Sequence, residues 1–284
     1  MAPRGPFRLT KAPSRPAVPA ADEYIQSLAR GLSVIKTFGE DAPSLTLSEV
    51  AARVGLSRAT ARRILWTLHR LGYVQSDGRN FNLAVRTLDL GYAYLSSMNL
   101  WDAAQPYMEE VAEQVHESCS ASVLDDTDIV YVARVPTHRI MSITLGIGTR
   151  LPAHATSMGR VLLTGLAHGD LDAWFRRVKL ERLTEKTVVD PRRLRQIVET
   201  SRRRGFAMVD QELEQGVRSI AVPIHDAAGA VAAAVNVSAH VSRVSSTALV
   251  KKFLPHLRRA AEGIETAVAM RQGIVGLRRS RQGR

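Results

Sequence analysis

The sequence predicts an α/β (α+β) protein in which an N-terminal winged helix-turn-helix is joined by a helical connector to a larger domain with an antiparallel sheet. Two observations predict this order. Residues 22–83 contain three helical patterns followed by a hairpin pattern, and residues 99–270 mix strand and helix patterns. Because the chain has 284 residues, of which 45% are hydrophobic, it is long enough to bury two separate cores.

Three helices are expected in the first domain. Apolar residues recur at steps of three and four across residues 25–38, which predicts an amphipathic helix. The stretch Thr46-Leu-Ser-Glu49 is a capping box, which predicts that a short second helix begins there. Ser57 is the expected N-cap of a third helix that ends at Gly72.

A hairpin and a connector follow the third helix. Two short strands, 73–75 and 81–83, flank an Asp77-Gly78 turn, which is a strong hairpin pattern. Helix, helix, glycine turn, helix and hairpin is the order of a winged helix-turn-helix. Residues 84–98 again show helical spacing, and we interpret them as a helical linker.

The second domain, 99–270, is predicted to pack helices against an antiparallel sheet. The expected strands are 120–124, 129–134, 141–145, 206–209, 219–225 and 231–237. The expected helices are 100–115, 158–166, 171–175, 191–204 and 248–270.

Composition excludes several protein classes. No run of about 18 apolar residues is present, so no transmembrane helix is expected. The single cysteine, Cys119, excludes an internal disulfide and a cysteine-based zinc finger, and we expect a cytoplasmic protein. Much of the net charge of +12 lies in the two tails. Residues 1–21, which we predict to be a disordered basic arm, contain four basic and no acidic residues. The basic tail, residues 271–284, contains five basic and no acidic residues.

The third helix carries the features of a DNA-reading element. It is rich in arginine and has no acidic residue, and Thr60, Arg63, Thr67 and Arg70 fall on the face away from its apolar stripe. Arginine can donate two hydrogen bonds to a guanine edge, and threonine can contact a thymine methyl group. The predicted DNA contacts are Thr46, Ser57, Arg58, Thr60, Arg62, Arg63, Thr67, Arg70, and Arg79 and Asn80 in the wing. The alternative, a basic solvated helix in an all-α domain, is disfavoured because the caps, the glycine turn and the hairpin all agree with the DNA-binding motif.

Stretches of both domains resemble the IclR family of transcriptional regulators. The resemblance covers roughly residues 24–270. It rests on residues 28–35, 47–57, 68–74, 154–163, 204–206, 212–223 and 234–238. It implies a GAF-like effector domain, assembly as a homodimer or a dimer of dimers, and binding of a short palindromic operator in duplex DNA.

A narrower resemblance concerns the ligand. Residues 132–136, 139–141 and 147–159 resemble regulators of the breakdown of protocatechuate, 4-hydroxybenzoate and β-ketoadipate. This likeness implies a regulator of aromatic-acid catabolism. A regulator that senses a non-aromatic small acid, such as glyoxylate or a sugar acid, stays open as the alternative.

The resemblance also implies which residues form the effector pocket, and the ligand chemistry fits a small carboxylic acid. Gly159 would allow close approach of the ligand, the helix start at Met158 would offer N–H groups to an anion, and arginines would neutralise the acid. The implied residues are Ser157, Met158 and Gly159 on one wall, Asp210 and Glu212 on a second, and Ser219, Ile220, Asn236 and Ser238 on two strands. Apart from the resemblance, Arg134, Arg139 and Arg150 are candidates for neutralising an acidic ligand. The alternatives are exposed strand residues and surface salt bridges.

An enzyme is the main competing class. Cys119, His154 and Asp210 could be imagined as a catalytic set, but Cys119 lacks a nucleophile motif. The histidines lack metal-ligand spacing and no glycine-rich phosphate loop is present, so we expect no enzyme activity, cofactor or metal.

A structural nucleoid or RNA-binding protein would not need a large neutral second domain. RNA polymerase is a further candidate partner, and effector binding is expected to act on the DNA-binding domains through the 84–98 helix.

Overall fold

The computed structural model describes residues 24–39, 41–98, 100–137 and 145–282, and the side chains in these ranges except at 95–98 and 271–282. These residues form two compact units, which divide between residues 98 and 99. The predicted arm 1–21, most of the predicted strand 141–145 and Arg139 lie outside the described residues.

The N-terminal unit has the winged helix-turn-helix order. Its elements are α1 (Gln26–Ile35), β1 (Ser44–Thr46), α2 (Leu47–Arg53), α3 (Arg58–Arg70), β2 (Val74–Ser76), β3 (Asn80–Leu83), a 3₁₀ turn (Val85–Thr87) and α4 (Leu88–Met98). The strands form an antiparallel sheet of order β1-β3-β2. The three predicted helices and the hairpin are confirmed, and β1 is a third strand that the sequence pattern does not predict.

Local caps fix where α2 and α3 begin. The Thr46 N–H donates to Glu49 Oε2 (2.7 Å) and the Glu49 N–H donates to Thr46 Oγ1 (3.4 Å), which closes the predicted capping box. Ser57 Oγ accepts the Thr60 N–H (3.2 Å) at the start of α3. Between the helices Gly55 has φ +63°, a left-handed conformation that glycine adopts without strain. The chain therefore turns sharply enough to pack α3 across α2.

The C-terminal unit contains a six-stranded antiparallel sheet of order β6-β5-β4-β9-β8-β7. Its strands are β4 (Cys119–Asp125), β5 (Asp128–Val135), β6 (Arg150–Pro152), β7 (Ala207–Asp210), β8 (Val217–His225) and β9 (Val231–His240). Its helices are α5 (Leu100–Val115), α6 (Ser157–Thr164), α7 (His168–Arg177), α8 (Pro191–Arg204), α9 (Ser246–Ala248) and α10 (Leu254–Gln282), with a 3₁₀ turn at Ala153–Ala155 and a π-helical turn at Leu249–Phe253. The predicted fold class, helices with an antiparallel sheet after a winged helix-turn-helix, is confirmed.

The position of α6 decides which residues can meet at a site. Met158 and Leu162 of α6 belong to one buried cluster with Ala207, Ala221 and Ala234 of β7, β8 and β9. Because side chains alternate across a strand, residues in phase with these alanines point toward α6 and their neighbours point away. We call this side of the sheet the α6 face.

Candidate nucleic-acid interface and effector pocket

The four arginines of α3 are all exposed. Arg58, Arg62, Arg63 and Arg70 lie outside the buried stripe formed by Ala61, Leu65 and Leu68. Within the part of the chain that the structure describes, no carboxylate forms an ion pair with any of these four arginines. Their guanidinium groups are thus available to phosphates and base edges.

The hydroxyl groups of the two candidate threonines are used inside the helix. Thr67 Oγ1 donates to the Arg63 carbonyl (2.8 Å), and Thr60 Oγ1 shares a hydrogen bond with Ser57 Oγ (2.9 Å). Thr46 likewise donates its hydroxyl to Glu49 (2.7 Å). Thr67 therefore offers a partner its methyl group and the acceptor sites of Oγ1, but not its O–H donor.

The wing is shaped by Asp77. Its carboxylate accepts the N–H groups of Arg79 (2.8 Å) and Asn80 (2.7 Å) and the Asn80 side-chain amide (3.2 Å). The Asn80 and Arg79 N–H donors hold the pKa of the Asp77 carboxyl below its usual value. The loop therefore presents the exposed side chain of Arg79 on a fixed backbone, while Asn80 is partly occupied inside the turn.

A row of polar residues crosses the α6 face of the sheet. Arg134 of β5, Ser120 of β4 and Asn236 of β9 are consecutive partners in register. One step along, Ser219 of β8 pairs with Ser238, whose hydroxyl accepts the Asn236 amide N–H (3.2 Å). The structure thus brings four of the predicted pocket residues, Arg134, Asn236, Ser219 and Ser238, to one face of the sheet.

Three buried polar atoms, one on the α6 face and two on the turn and helix start that precede Met158, lack a partner among the described residues. Ser157 Oγ, at the start of α6, and Asn236 Oδ1 are both buried and accept or donate no hydrogen bond there. His154 Nδ1 is in the same state, while His154 Nε2 bonds the Glu181 carbonyl (3.0 Å). Because a buried polar group without a partner costs about 1–3 kcal/mol, these atoms mark a site for a polar ligand or for bound water. His154 did not enter the predicted pocket, since a single histidine in a sequence carries no signal of burial.

Arg134 is half-buried and has no carboxylate partner among the described residues. Of the three candidate arginines, it is the only one described with this environment. It donates to Ser120 Oγ (3.2 Å), and burial lowers the pKa of its guanidinium. Arg150 instead forms exposed ion pairs with Asp125 (2.7 Å) and Asp128 (3.3 Å), the surface alternative named above. Arg139 lies outside the described residues.

Three further predicted pocket residues are not members of this polar row, and their role in a pocket stays a prediction. Glu212 forms a buried two-pronged ion pair with Arg160 (2.7 and 2.5 Å). Asp210 pairs with Arg218 (3.1 Å). By strand alternation, the side chains of Asp210 and Arg218 point away from the α6 face. Ile220 is also out of phase, because it neighbours Ser219 and Ala221 along β8. Glu212 and Asp210 thus pair with arginines, and Ile220 is buried on the side of the sheet away from α6.

Gly159 has a structural reason that differs from the expected one. A Cβ atom at this position would lie 2.2 Å from the Ala153 carbonyl oxygen, so the glycine permits close packing of α6 on the preceding turn. Its N–H is capped by Thr156 Oγ1 (3.1 Å). Next to it, the buried Met158 sulfur accepts a hydrogen bond from Ser122 Oγ (3.2 Å).

The competing chemistry finds little support in the described part of the chain. Burial raises the pKa of the Cys119 thiol to about 12, so the thiol is not an activated nucleophile. Over the described ranges no cluster of three or more metal-binding side chains occurs, and no helix there is long and apolar enough to cross a membrane.

Comparison with known proteins identifies the family. Residues 27–78 match the IclR helix-turn-helix domain, and residues 92–266 match the C-terminal domain of bacterial IclR transcriptional regulators. The chain is 45% identical to the Pca regulon regulatory protein of Pseudomonas putida, over 85% of this chain and 84% of that protein. It is 36% identical to the p-hydroxybenzoate hydroxylase transcriptional activator of Acinetobacter baylyi, over 87% and 93% of the two chains. An IclR homologue from Microbacterium hydrocarbonoxydans, solved in complex with 4-hydroxybenzoate, superposes with a TM-score of 0.77 at 28% identity, over 86% of this chain and 99% of that one. The chain belongs to the IclR family of bacterial transcriptional regulators.

Proposed function

We propose that this regulator controls an aromatic-acid catabolic pathway and senses a small hydroxylated aromatic acid through the α6 face. The single observation that carries the proposal is the row Arg134–Ser120–Asn236. The half-buried Arg134 guanidinium has no carboxylate partner among the described residues, and Asn236 Oδ1 has no hydrogen-bond partner there. The backbones of these two residues lie two strand spacings apart, which is about 10 Å. A carboxylate suits the first group and a hydroxyl donor suits the second.

The chemistry agrees with the relatives. Two of them are named for the Pca regulon and for p-hydroxybenzoate hydroxylase, and a third was solved with 4-hydroxybenzoate. Ser157 would add a hydroxyl that can donate or accept, and Ser219 and Ser238 would extend the polar wall. The pocket is thus proposed to consist of Ser157, Arg134, Asn236, Ser219 and Ser238, with Met158 as an apolar wall.

Duplex DNA is the proposed partner of α3 and the wing. Arg58, Arg62, Arg63 and Arg70 would supply base and phosphate contacts in the major groove, and Arg79 would reach an adjacent phosphate. Because one helix reads few base pairs, useful specificity needs two copies on a two-fold operator. A protein that binds chromosomal DNA in a bacterium would act in the cytoplasm, which is the location we propose.

Assembly as a homodimer, or as a dimer of dimers, would cover apolar surface of the N-terminal unit. Helix α1 exposes large apolar side chains at Ile25 and Leu28, and the α4 region does so at Val85, Leu88 and Tyr92. Side chains of this kind are common where two subunits meet. Contact with RNA polymerase stays a prediction.

Effector binding would act as a shift between two arrangements of the DNA-binding units. A ligand can shift such an equilibrium only if it binds one arrangement more tightly than the other. Helix α4 would transmit the difference, because it continues the DNA-binding unit directly into the effector domain along the chain. The shift would change the population that is competent for the operator or for polymerase contact. Equal operator affinity together with equal transcription, with and without saturating effector, would contradict this mechanism.

The experiment is a thermal-shift screen of the full chain against 4-hydroxybenzoate, protocatechuate and β-ketoadipate, with glyoxylate and a sugar acid as contrast. A ligand at a hundred times its Kd adds about 2.7 kcal/mol of stability. We expect a shift with an aromatic-pathway acid, loss of that shift in Ser157→Ala and Asn236→Ala, and an unchanged shift in Ser33→Ala, an exposed serine on α1. A shift only with glyoxylate or a sugar acid would replace the aromatic assignment by the alternative.

A further inference from the structure

An exposed tryptophan lies in the middle of the DNA-facing side of α3. Trp66 is 43% exposed, whereas the other two tryptophans, Trp101 and Trp174, are 7% and 1% exposed. It stands three residues after Arg63 and four before Arg70, and residues at these spacings are neighbours on a helix surface. The buried stripe of α3 points the other way.

Trp66 also touches the wing. Its ring meets Phe81 of β3 edge to face at 6.0 Å between centroids, and it meets His69 in the same manner at 5.1 Å. The His69 ring is fixed in turn, because its Nδ1 donates to the Val74 carbonyl (3.0 Å) at the start of β2. The indole is thus held in the corner between the recognition helix and the hairpin that carries Arg79 and Asn80.

We propose that Trp66 is a DNA contact that helps to determine operator specificity, through apolar contact of the indole with a deoxyribose and a thymine methyl group. Packing against Phe81 and His69 uses only part of the ring, and the exposed remainder stands between Arg63 and Arg70 on the face that carries the DNA-binding charge. Tryptophan combines a large rigid apolar surface with an N–H donor, which suits a contact between sugar edges and phosphates. Thymine is the base that offers a methyl group to apolar side chains in the major groove. The proposal rests on DNA binding by the family, and it adds a residue that the arginine and threonine pattern leaves out.

The first test uses the tryptophan itself as the reporter. The full chain is mixed with a duplex that it selects from a random library, and quenching of tryptophan emission by acrylamide is measured with and without this duplex. We expect the selected duplex to protect a quenchable part of the emission, and Trp66→Phe to remove that part. Quenching that is the same in bound and free wild-type protein would overturn the proposal.

The second test separates contact with DNA from support of the wing. Each thymine of the selected duplex is replaced by uracil, which removes only the methyl group. We expect uracil at one position to lower the affinity of the wild type several-fold. Trp66→Ala should bind the thymine duplex about tenfold more weakly than the wild type does, as on loss of one base contact. Uracil at that same position should not change the affinity of Trp66→Ala any further. Leu183→Ala, an exposed apolar residue of the C-terminal unit, should match the wild type. If Trp66→Ala keeps the uracil penalty of the wild type, the side chain only braces the wing and the proposal is wrong.

Discussion

Arginines in the two units of this protein have different environments. On α3 all four are exposed, and none has a carboxylate partner among the described residues. Among the described residues of the C-terminal unit, seven arginines pair with acids, namely Arg150, Arg160, Arg177, Arg195, Arg202, Arg218 and Arg243. The α3 arginines are therefore free for the proposed DNA contacts, whereas these seven arginines contribute to contacts within the folded unit.

The largest effect is expected at the buried pair of Arg160 and Glu212. The Glu212 carboxylate also accepts the Val188 N–H (3.0 Å), and Arg160 Nε donates to the His154 carbonyl (3.0 Å), so the pair joins α6 to two loops. Glu212→Ala would leave a buried guanidinium unpaired, and we expect a loss of about 3–5 kcal/mol in the free energy of unfolding of this unit. Calorimetry, which resolves the transitions of the two units, is the measurement.

The matched control for that prediction is the exposed pair of Asp172 and Arg195 (2.5 Å). Asp172→Ala should cost at most about 1 kcal/mol, because exposed ion pairs contribute little. Replacing both partners of the buried pair by methionine should recover much of the lost stability, since it removes the unpaired charge. A Glu212→Ala protein as stable as the Asp172→Ala protein would contradict the account of the buried pair.

In the N-terminal unit the effect should appear in binding and not in stability. Arg63→Ala removes an exposed side chain from the centre of the α3 surface, so we expect operator affinity to fall by about 1–3 kcal/mol, as for loss of one base contact. The free energy of unfolding should change by less than about 0.5 kcal/mol. A gel-shift titration at fixed salt measures the first quantity and calorimetry the second.

Arg192→Ala serves as the control for the binding measurement, because Arg192 is an equally exposed arginine on α8 of the other unit. It should leave operator affinity unchanged. If the two variants lose the same affinity, binding follows the total charge of the protein and not the surface of α3.

How far the sequence predicts the structure differs between the same two units. In the N-terminal unit local signals suffice: a capping box at Thr46, an N-cap at Ser57 and an Asp-Gly turn fix the helices and the hairpin. Only β1 is missed, since three residues are too few to show a period. In the C-terminal unit the contacts of the site depend on strand order and on partners far apart in sequence, such as Arg160 and Glu212.

Two expected pocket residues, Ile220 and Glu212, are not members of the polar row on the α6 face, for different physical reasons. Ser219 and Ile220 are adjacent on a strand, so alternation alone shows that they cannot line the same face, and the sequence could have excluded one of them. Glu212 could not be excluded in this way, because nothing in a sequence shows that a carboxylate is buried against an arginine 52 residues away. The exposure of Trp66 also cannot be read from the sequence, because it depends on how β3 packs against α3.

The smallest effect is a pH dependence confined to the start of α2. The Thr46 N–H, and then its hydroxyl, donate to Glu49, and these bonds hold the pKa of the Glu49 carboxyl below its usual value of 4.5. Because the pKa is lower in the folded state, the stabilisation is fully present above pH 4.5 and is lost as the pH falls through the folded-state pKa. Glu49→Gln should therefore weaken hydrogen-exchange protection of the α2 amides at neutral pH, and the difference from the wild type should shrink below pH 4.5. Glu113 is an exposed glutamate near the end of α5. Glu113→Gln should leave the protection of the α2 amides unchanged, both at neutral pH and below pH 4.5. A Glu49→Gln difference that is the same at both pH values would mean that the capping-box geometry, and not the charge on Glu49, stabilises the helix start.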